Sequence, residues 1–260
     1  MTSYPTSIGS SDETSIQLLG HDLAEDLLGK VGFTELAFWL VALRRPTAAE
    51  LRVFEAVLVA LTDHGFTPSV IAARLTLTGA PESVQGALAA GLLGGGSRFL
   101  GATEDTGRFL ALVLGDAPAE VPTTDEGWDE LARAAVRTQR ATGGHLPGFG
   151  HPVHKHGDPR TPVLIRIVTE EGLLGPHLRL LQAIERVLPD VIGRALPING
   201  AGVCGGALCD LGLPVETLRG FALLARTAGL LGHLAEEMRQ PVGLDIYRDV
   251  EHAADYQPPA

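Results

Sequence analysis

The 260-residue sequence predicts an all-α fold. Apolar residues recur at helical spacing, most clearly over 51–61. Helix-start signals precede such segments: Thr47 and Glu50 form a capping box, and Thr67-Pro68 places a capping residue before a proline at the first helical position. No segment alternates apolar and polar residues as a strand would, and no Asn-Gly pair marks a hairpin.

The helices are expected in sequence along most of the chain. Residues 1–15 form a Ser- and Thr-rich lead that we expect to be flexible. The helix over 51–61 should stop by Gly65, a residue suited to a helix C-terminus. Further helices are predicted at 82–93, 98–114, 124–141, 160–172, 176–188 and 214–238. The intervening segment 143–157 is rich in Gly, Pro and His, a composition typical of a functional loop.

Composition and charge limit the possible partners. A hydrophobic content of 45% is enough for a full core, while aromatic residues make up only 5%. The formal net charge of −11 disfavours binding to nucleic acid or to an anionic membrane. Of the 20 basic residues only Lys30 and Lys155 are lysines, and arginine suits bidentate binding of carboxylates and phosphates. Compositional bias of the genome explains the arginine excess equally well.

The lack of a recognisable targeting signal and the small number of cysteines favour the cytoplasm. The N-terminal residues show no basic-then-apolar signal pattern. Apolar runs such as 86–96 are too short and too glycine-rich to span a bilayer. Cys204 and Cys209 are the only cysteines, so no disulfide framework is expected.

Two motif matches fail on their context. The glycines at 200–205 match GxGxxG, but no predicted strand precedes them and Arg226 occupies the region where a dinucleotide site needs an acidic residue. These glycines are more simply explained by close helix packing. A second cluster joins His151, His154, His156 and Asp158, yet its spacing fits neither HExxH nor a zinc finger. We therefore predict no metal site.

Three places carry residues suited to anion chemistry. The loop 148–160 combines flexible glycines with His and Lys, and Arg160 begins a helix, where the dipole favours anions. His64 follows a helix, where a protonated imidazole is favoured. Arg226 interrupts the apolar segment 221–234 and needs a counterion or a bound anion. The alternatives are a helix-capping role for His64 and a structural ion pair for Arg226.

The same segments resemble a known superfamily. GFGHPVHKHGDPR (148–160) resembles the citrate synthase pattern of a glycine pair, His, Val, a basic residue and Asp-Pro-Arg. Four further segments resemble citryl-CoA lyases and the C-terminal module of ATP-citrate lyase: LTDHG (61–65), GGGSRFLGATED (94–105), PINGAGVCGGALCDLG (197–212) and ARTAGLLGHLAEE (225–237). The order and spacing agree over about residues 15–250.

The resemblance implies an architecture. A large helical domain would comprise 16–147 and return over 221–260, and 148–220 would form a reduced small lobe. The active site would lie in the cleft between them and be completed by a second subunit. A homo-oligomer, either dimer or tetramer, is therefore expected.

The resemblance also implies roles for individual residues. The oxaloacetate-like end of the ligand would be held by His64, His151, Arg160 and Arg226, and by Arg248 from the second subunit. Lys155 would meet a coenzyme A phosphate. Acid/base work would fall to His151, assisted by His64. Arg98 and Phe99 would line the substrate site, with a coenzyme A thioester as substrate and no bound cofactor.

Two departures from the family pattern bear on the reaction. Phe99 stands where citrate synthases place a His that holds the thioester oxygen; citryl-CoA lyase modules also have Phe there. Ala201 stands where the family has the Asp that moves a proton at the acetyl carbon. No carboxylate lies between Val191 and Cys209, and Asp210 is a helical turn or more too far along. Either another group moves this proton, or the substrate differs, or activity is lost.

Four functions are compatible with these observations. The leading prediction is a carbon–carbon lyase of the citryl-CoA lyase type, cleaving citryl-CoA or a related 3-hydroxy-3-carboxyacyl-CoA to an acyl-CoA and a keto acid. The alternatives are a citrate synthase-like condensing transferase, a non-catalytic relative that binds citrate or coenzyme A, and a metal-binding helical protein.

Overall fold

Helices dominate the structure, a computed structural model that describes residues 2–115, 121–151 and 153–259. Pro152, in the His-rich loop, lies outside the described residues. The α-helices are α1 (Phe33–Ala42), α2 (Ala48–Leu61), α3 (Pro68–Gly79), α4 (Val84–Leu93), α5 (Ala102–Gly115), α6 (Asp125–Ala141), α7 (Arg160–Glu170), α8 (Pro176–Ile192), α9 (Gly200–Asp210), α10 (Leu218–Arg239) and α11 (Gly243–Ala253). A π-helical turn at Leu23–Leu27 and a 3₁₀ turn at Val215–Thr217 complete the helical elements of the described chain. The all-α prediction is confirmed.

A small antiparallel sheet near the N-terminus corrects the expectation of no strands. Its strands are β1 (Gly9–Ser11), β2 (Ile16–Leu18) and β3 (His21–Asp22), in the order β1-β2-β3. Asp12 turns the chain between β1 and β2, since its carboxylate accepts the backbone N–H groups of Thr14 and Ser15. Strands of two or three residues are too short to show an alternating pattern, which is why the sequence did not reveal them.

The two predicted helix starts lie at the expected residues, but only one of them has the expected capping hydrogen bonds. Thr47 and Glu50 form both bonds of the capping box of α2. Thr67 is the N-cap of α3, but its hydroxyl makes no capping bond and is buried without a partner among the described residues. The segment predicted as one helix at 214–238 divides into the 3₁₀ turn and α10.

Helix α9 lies at the centre of the core. It is buried from Gly202 to Cys209. A Cβ on Gly205 would overlap the carbonyl oxygen of Thr103 in α5, and one on Gly206 would lie 2.8 Å from the Leu178 side chain in α8. Gly205 of the rejected dinucleotide motif therefore serves close helix packing, as the sequence predicted, while Gly200 and Gly202 make room for the Arg160 side chain and the Gly148 backbone.

A second apolar cluster joins α3, α4 and α10 through residues that include Val70, Ala87 and Leu230. Helix α10 contributes residues to this second cluster and to the main core around α9. It therefore links α3 and α4 to the main core. Among the described residues, no helix combines the length and apolar character that a membrane span requires. The domain boundaries at 15, 148 and 220 remain predictions.

Two glycines of α10 provide a test of this packing. A Cβ on Gly229 would overlap the carbonyl oxygen of Thr62, whereas a Cβ on Gly232 would meet nothing within 4 Å. Gly229→Ala should lower the free energy of unfolding by about 1–3 kcal/mol because the backbones must separate. Gly232→Ala should be neutral or stabilising by about 0.5–1 kcal/mol. Urea denaturation of both variants measures these changes. Equal changes in the free energy of unfolding would contradict the close packing assigned to Gly229.

Candidate active site

One cavity of about 1200 Å³ brings together most of the predicted site residues. Its wall contains His64, Arg98, Phe99, His151, Lys155, Arg160 and Arg226. Arg248 lies elsewhere, on α11, where its side chain is 58% exposed and sits 3.6 Å from Asp245. The contribution of Arg248 from a second subunit remains a prediction.

The His151 loop is attached to the segment before α9 by backbone bonds. Gly148 and Gly150 have φ angles of +85° and +72°, which glycine adopts without strain. Gly150 N donates to Pro197 O at 2.8 Å, and Asn199 N donates to Gly148 O at 2.9 Å. The Asn199 side chain also donates to Gly150 O at 2.8 Å while its oxygen caps α9. These bonds fix the loop that carries His151 against the start of α9.

A buried carboxylate joins this loop to two helix N-termini. Asp158 is 3% exposed and accepts Arg160 Nε at 2.9 Å and Arg160 Nη2 at 2.7 Å. The same carboxylate accepts the backbone N–H of Arg160 in the first turn of α7 and that of Gly200 at the start of α9. Arg160 also donates through Nη1 to Ala60 O at 3.0 Å. Arg160 is thus held in a fixed orientation at the cavity wall.

Charge and shape both support this arrangement. Burial alone would raise the pKa of Asp158, but the hydrogen bonds from Arg160 and Gly200 outweigh it and hold the pKa well below its ordinary value of 3.8. A Cβ on residue 200 would overlap the Arg160 guanidinium, so glycine is required where α9 begins. The carboxylate is therefore ionised and engaged by both Arg160 and the Gly200 N–H.

Arg226 reaches the cavity from α10 with most of its donors unused. It is 4% exposed, and its Nη1 donates to Asp63 Oδ1 at 3.2 Å. Its Nε is buried with no hydrogen-bond partner in the part of the chain that is described. Burial lowers the pKa of Arg226 from 12.5, although the Asp63 charge opposes this. Because Arg226 lines the cavity, its guanidinium group is a cation to which an anion could bind.

Asp63 is a structural partner that the sequence argument did not single out. Its Oδ1 accepts both Arg226 and His233 Nε2, the latter at 2.9 Å, and its Oδ2 accepts Gly65 N at 2.8 Å. His233 in turn receives a bond from Arg74 at 2.9 Å, so its Nε2 carries the proton given to Asp63. The position of Asp63 directly before His64 was the one signal in the sequence that could have indicated its role.

The hydrogen bonds of His151 determine where its proton lies. Its Nδ1 accepts the backbone N–H groups of Val153 and His154, both at 3.1 Å. The neutral ring therefore carries its proton on Nε2 and acts there as a donor. Burial lowers the pKa of His151 below its ordinary value of 6.5, and the charges of His154 and His64 add to this effect. His151 is thus a neutral hydrogen-bond donor at neutral pH.

His154 forms a cluster with His64 and His151 that the sequence did not predict. The Nε2 atoms of His64 and His154 lie 3.3 Å apart, and the three histidines each offer a ring nitrogen within 4.8 Å of the others. Such a group could hold a metal ion. However, His151 Nδ1 already accepts two backbone N–H groups, and its ring proton is on Nε2. His151 could bind a metal ion only if these hydrogen bonds or the position of the ring proton changed. His156 and Asp158, the other members of the sequence cluster, do not belong to this group.

The two departures from the family pattern are also found at the cavity. Ala201 lines it, and Phe99 lines it with 48% of its surface exposed. Asp210 serves elsewhere: its carboxylate accepts the N–H groups of Gly175, His177 and Leu178 and so caps α8. Asp105 and Arg194 also line the cavity and were not predicted from the sequence. Asp105 lies within the family-like segment 94–105 but matches no position of the family motif.

The fold and this site define a class: an α-helical protein with a cleft of arginines and histidines suited to a small anion. The family description "Citrate synthase, C-terminal domain" matches residues 19–248. The chain therefore belongs to the citrate synthase family, and the resemblance found in the sequence is confirmed.

Curated relatives include the 2-methylcitrate synthase of Mycobacterium tuberculosis, which is 26% identical over 194 residues, 74% of this chain and 46% of that protein. The citrate synthase of Saccharolobus solfataricus is 26% identical over 226 residues, 82% of this chain and 55% of that protein. The chain thus spans about half the length of these relatives.

Solved structures give a match over the full length. The citryl-CoA lyase from Hydrogenobacter thermophilus is 28% identical with a TM-score of 0.85, and the match covers 99% of this chain and 96% of that one. The ATP citrate lyase from Methanothrix soehngenii, solved with citrate and coenzyme A, is 22% identical with a TM-score of 0.78, covering 100% of this chain and 42% of that one. The latter likeness shows the fold.

The Asp158 bonds predict a large cost of neutralisation. Asp158→Asn should lower the free energy of unfolding by about 3–5 kcal/mol, because Arg160 would lose its buried counterion. Asp190→Asn is the control, since Asp190 pairs with Arg133 at 3.3 Å and its side chain is 71% exposed; it should change stability by less than about 1 kcal/mol. Similar losses in guanidinium denaturation would contradict the assigned role of Asp158.

The lowered pKa of Asp158 also predicts a pH dependence. A carboxyl group with a lower pKa in the folded state stabilises the protein above its unfolded pKa, near 3.8, and loses this contribution as the pH falls through the folded pKa. The free energy of unfolding of the wild type should fall more steeply below about pH 4 than that of Asp158→Asn. Parallel pH profiles of the two proteins would show that Asp158 is not responsible.

Proposed function

We propose that this protein is a carbon–carbon lyase of the citryl-CoA lyase type, which cleaves citryl-CoA or a related 3-hydroxy-3-carboxyacyl-CoA to an acyl-CoA and a keto acid. The observation that carries this proposal is the gathering of His64, His151, Arg160 and Arg226 around one cavity. It is supported by the full-length likeness to a citryl-CoA lyase, whereas the synthase relatives extend well beyond this chain.

The two arginines would hold the carboxylates of the substrate. Arg160 has three of its five N–H groups engaged, by Asp158 and Ala60, which leaves two for a ligand. Arg226 has an unpartnered buried Nε. Both guanidinium groups are fixed by carboxylates outside the ligand volume, so substrate binding would need little reordering of side chains.

His151 would act at the oxygen of the tertiary alcohol or ketone. Its Nε2–H is a donor, which suits stabilisation of the negative charge that develops on this oxygen during cleavage or condensation. Because Nδ1 is occupied, this geometry favours the donor role over removal of the alcohol proton by His151. His64 lines the same wall and would act as the base for that proton.

The same cavity would receive the coenzyme A thioester. Arg98 and Phe99 line the cavity, and Phe99 in place of a thioester-binding His favours cleavage over condensation. Lys155 and Arg194 are cations of the wall suited to the phosphates of coenzyme A. No resident cofactor or metal is part of this proposal.

Two other functions remain alternatives. A condensing transferase is favoured by the named activities of the 2-methylcitrate and citrate synthase relatives. A non-catalytic protein that binds citrate or coenzyme A is favoured by Ala201, which cannot transfer a proton.

A homo-oligomer in the cytoplasm completes the proposal. On α11, Leu244, Tyr247 and Val250 are 43%, 56% and 67% exposed and lie beside Arg248 in the sequence. An exposed apolar stripe of this kind is suited to contact with a second subunit, which would bring Arg248 to the partner's cavity.

The first test is a coupled assay for oxaloacetate release from citryl-CoA. The wild type should release oxaloacetate, and His151→Ala should reduce kcat by about 10²-fold or more because the oxyanion donor is lost. His156→Ala is the matched control, since His156 is exposed on the same loop and does not line the cavity; it should keep near wild-type activity.

The possible outcomes separate the candidate functions. Absence of release, together with coenzyme A production from acetyl-CoA and oxaloacetate, would favour the transferase. Tight citrate binding without turnover in either direction would favour the binding protein. Equal losses in His151→Ala and His156→Ala would contradict the role given to His151.

A further inference from the structure

The cavity lacks a carboxylate at Ala201, and the two carboxylates that pair with its arginines, Asp158 and Asp63, are already engaged. Asp158 accepts four hydrogen bonds from Arg160 and Gly200. Asp63 accepts Arg226, His233 and Gly65. Neither of these two carboxylates lines the cavity. A group that exchanges a proton with a substrate carbon must reach that carbon, so neither is suitable.

Among the described residues that line the cavity, Asp105 is the one acidic side chain. It lies in the first turn of α5, directly after the segment that carries Arg98 and Phe99. Its side chain is 39% exposed and forms an ion pair with Arg219 at 3.8 Å. Asp105 differs from Asp158 and Asp63 in lining the cavity, where it can meet a ligand.

Helices α5 and α9, which carry Asp105 and Ala201, come together beside the His151 loop. A Cβ on Gly148 would lie 2.9 Å from Thr106 Oγ1 and 3.1 Å from Gly202 Cα, so Thr106 and Gly202 meet at this glycine. Asp105 and Ala201 are the neighbours of these two residues in the chain, and both line the cavity. Residues of α5 and α9 thus meet the same glycine of the His151 loop, and Asp105 and Ala201 share one cavity.

We propose that Asp105 is the catalytic residue that exchanges a proton with the α-carbon of the thioester, in place of a carboxylate at position 201. This inference rests on the proposed lyase function. In cleavage, the tertiary hydroxyl gives its proton to His64 as the C–C bond breaks and its electrons form the thioester enolate. The Asp105 carboxyl group then protonates the α-carbon. Exchange with water in the open cavity returns a proton to Asp105 and removes one from His64.

Asp105→Asn, paired with Glu104→Gln, tests this proposal. Glu104 is the adjacent carboxylate; it pairs with Arg108 at 2.8 Å and Arg219 at 3.2 Å and does not line the cavity. Two readouts are needed: oxaloacetate release from citryl-CoA, and deuterium uptake into the methyl group of acetyl-CoA in D₂O with oxaloacetate present, followed by NMR. Thermal unfolding of both variants controls for damage to the fold.

Asp105→Asn should lower both rates by about 10²-fold or more, while Asp105→Glu recovers part of the activity and Glu104→Gln stays within a few-fold of wild type. An active Asp105→Asn enzyme, or equal losses in Asp105→Asn and Glu104→Gln, would overturn the role of Asp105 and leave the lyase function standing. A folded wild type that neither cleaves citryl-CoA nor exchanges the methyl protons would overturn the lyase function itself, and this inference with it.

Discussion

The rest of the site depends on the hydrogen bonds that the Asp158 carboxylate accepts. It lies where the His151 loop ends and α7 begins, and it binds the Arg160 side chain and the backbone N–H of Gly200. One ionised group therefore orients an arginine, satisfies donors at two helix N-termini and fixes the loop against α9. Its full burial makes these bonds strong, because water does not compete for them. The absence of a side chain at Gly200 is what allows the arginine to approach.

The cavity of this acidic protein is suited to an anion because its arginines are only partly neutralised by neighbouring carboxylates. Each arginine of the cavity has a carboxylate partner behind it, Asp158 for Arg160 and Asp63 for Arg226. The carboxylates lower the cost of burying the cations, but they occupy only part of each guanidinium fork. Both arginines line the cavity, where the carboxylate of a ligand would complete the pairing. The net charge of −11 therefore says little about the field inside the cleft.

The sequence was most informative where chemistry and backbone geometry are local. The capping box at Thr47 and the Asp-Pro-Arg turn at Arg160 depend on residues within a few positions of each other, and both were predicted. Contacts between distant segments were not predictable in this way. The His64–His154 bond joins residues 90 positions apart, and the Asp63–Arg226 pair joins residues 163 positions apart. The need of Arg226 for a partner followed from its apolar surroundings, but the identity of that partner required the fold.

The position of Asp105 shows the same limit from the functional side. A search for the missing carboxylate along the sequence around residue 201 finds none, because the search assumes that a catalytic group keeps its place in the chain. In space, α5 packs against α9, since Gly205 lets α9 approach the backbone of α5 closely. A carboxylate on α5, Asp105, therefore lines the same cavity as Ala201. Proton transfer requires a group at the right point in the cavity, and helix packing offers more than one residue that can provide it.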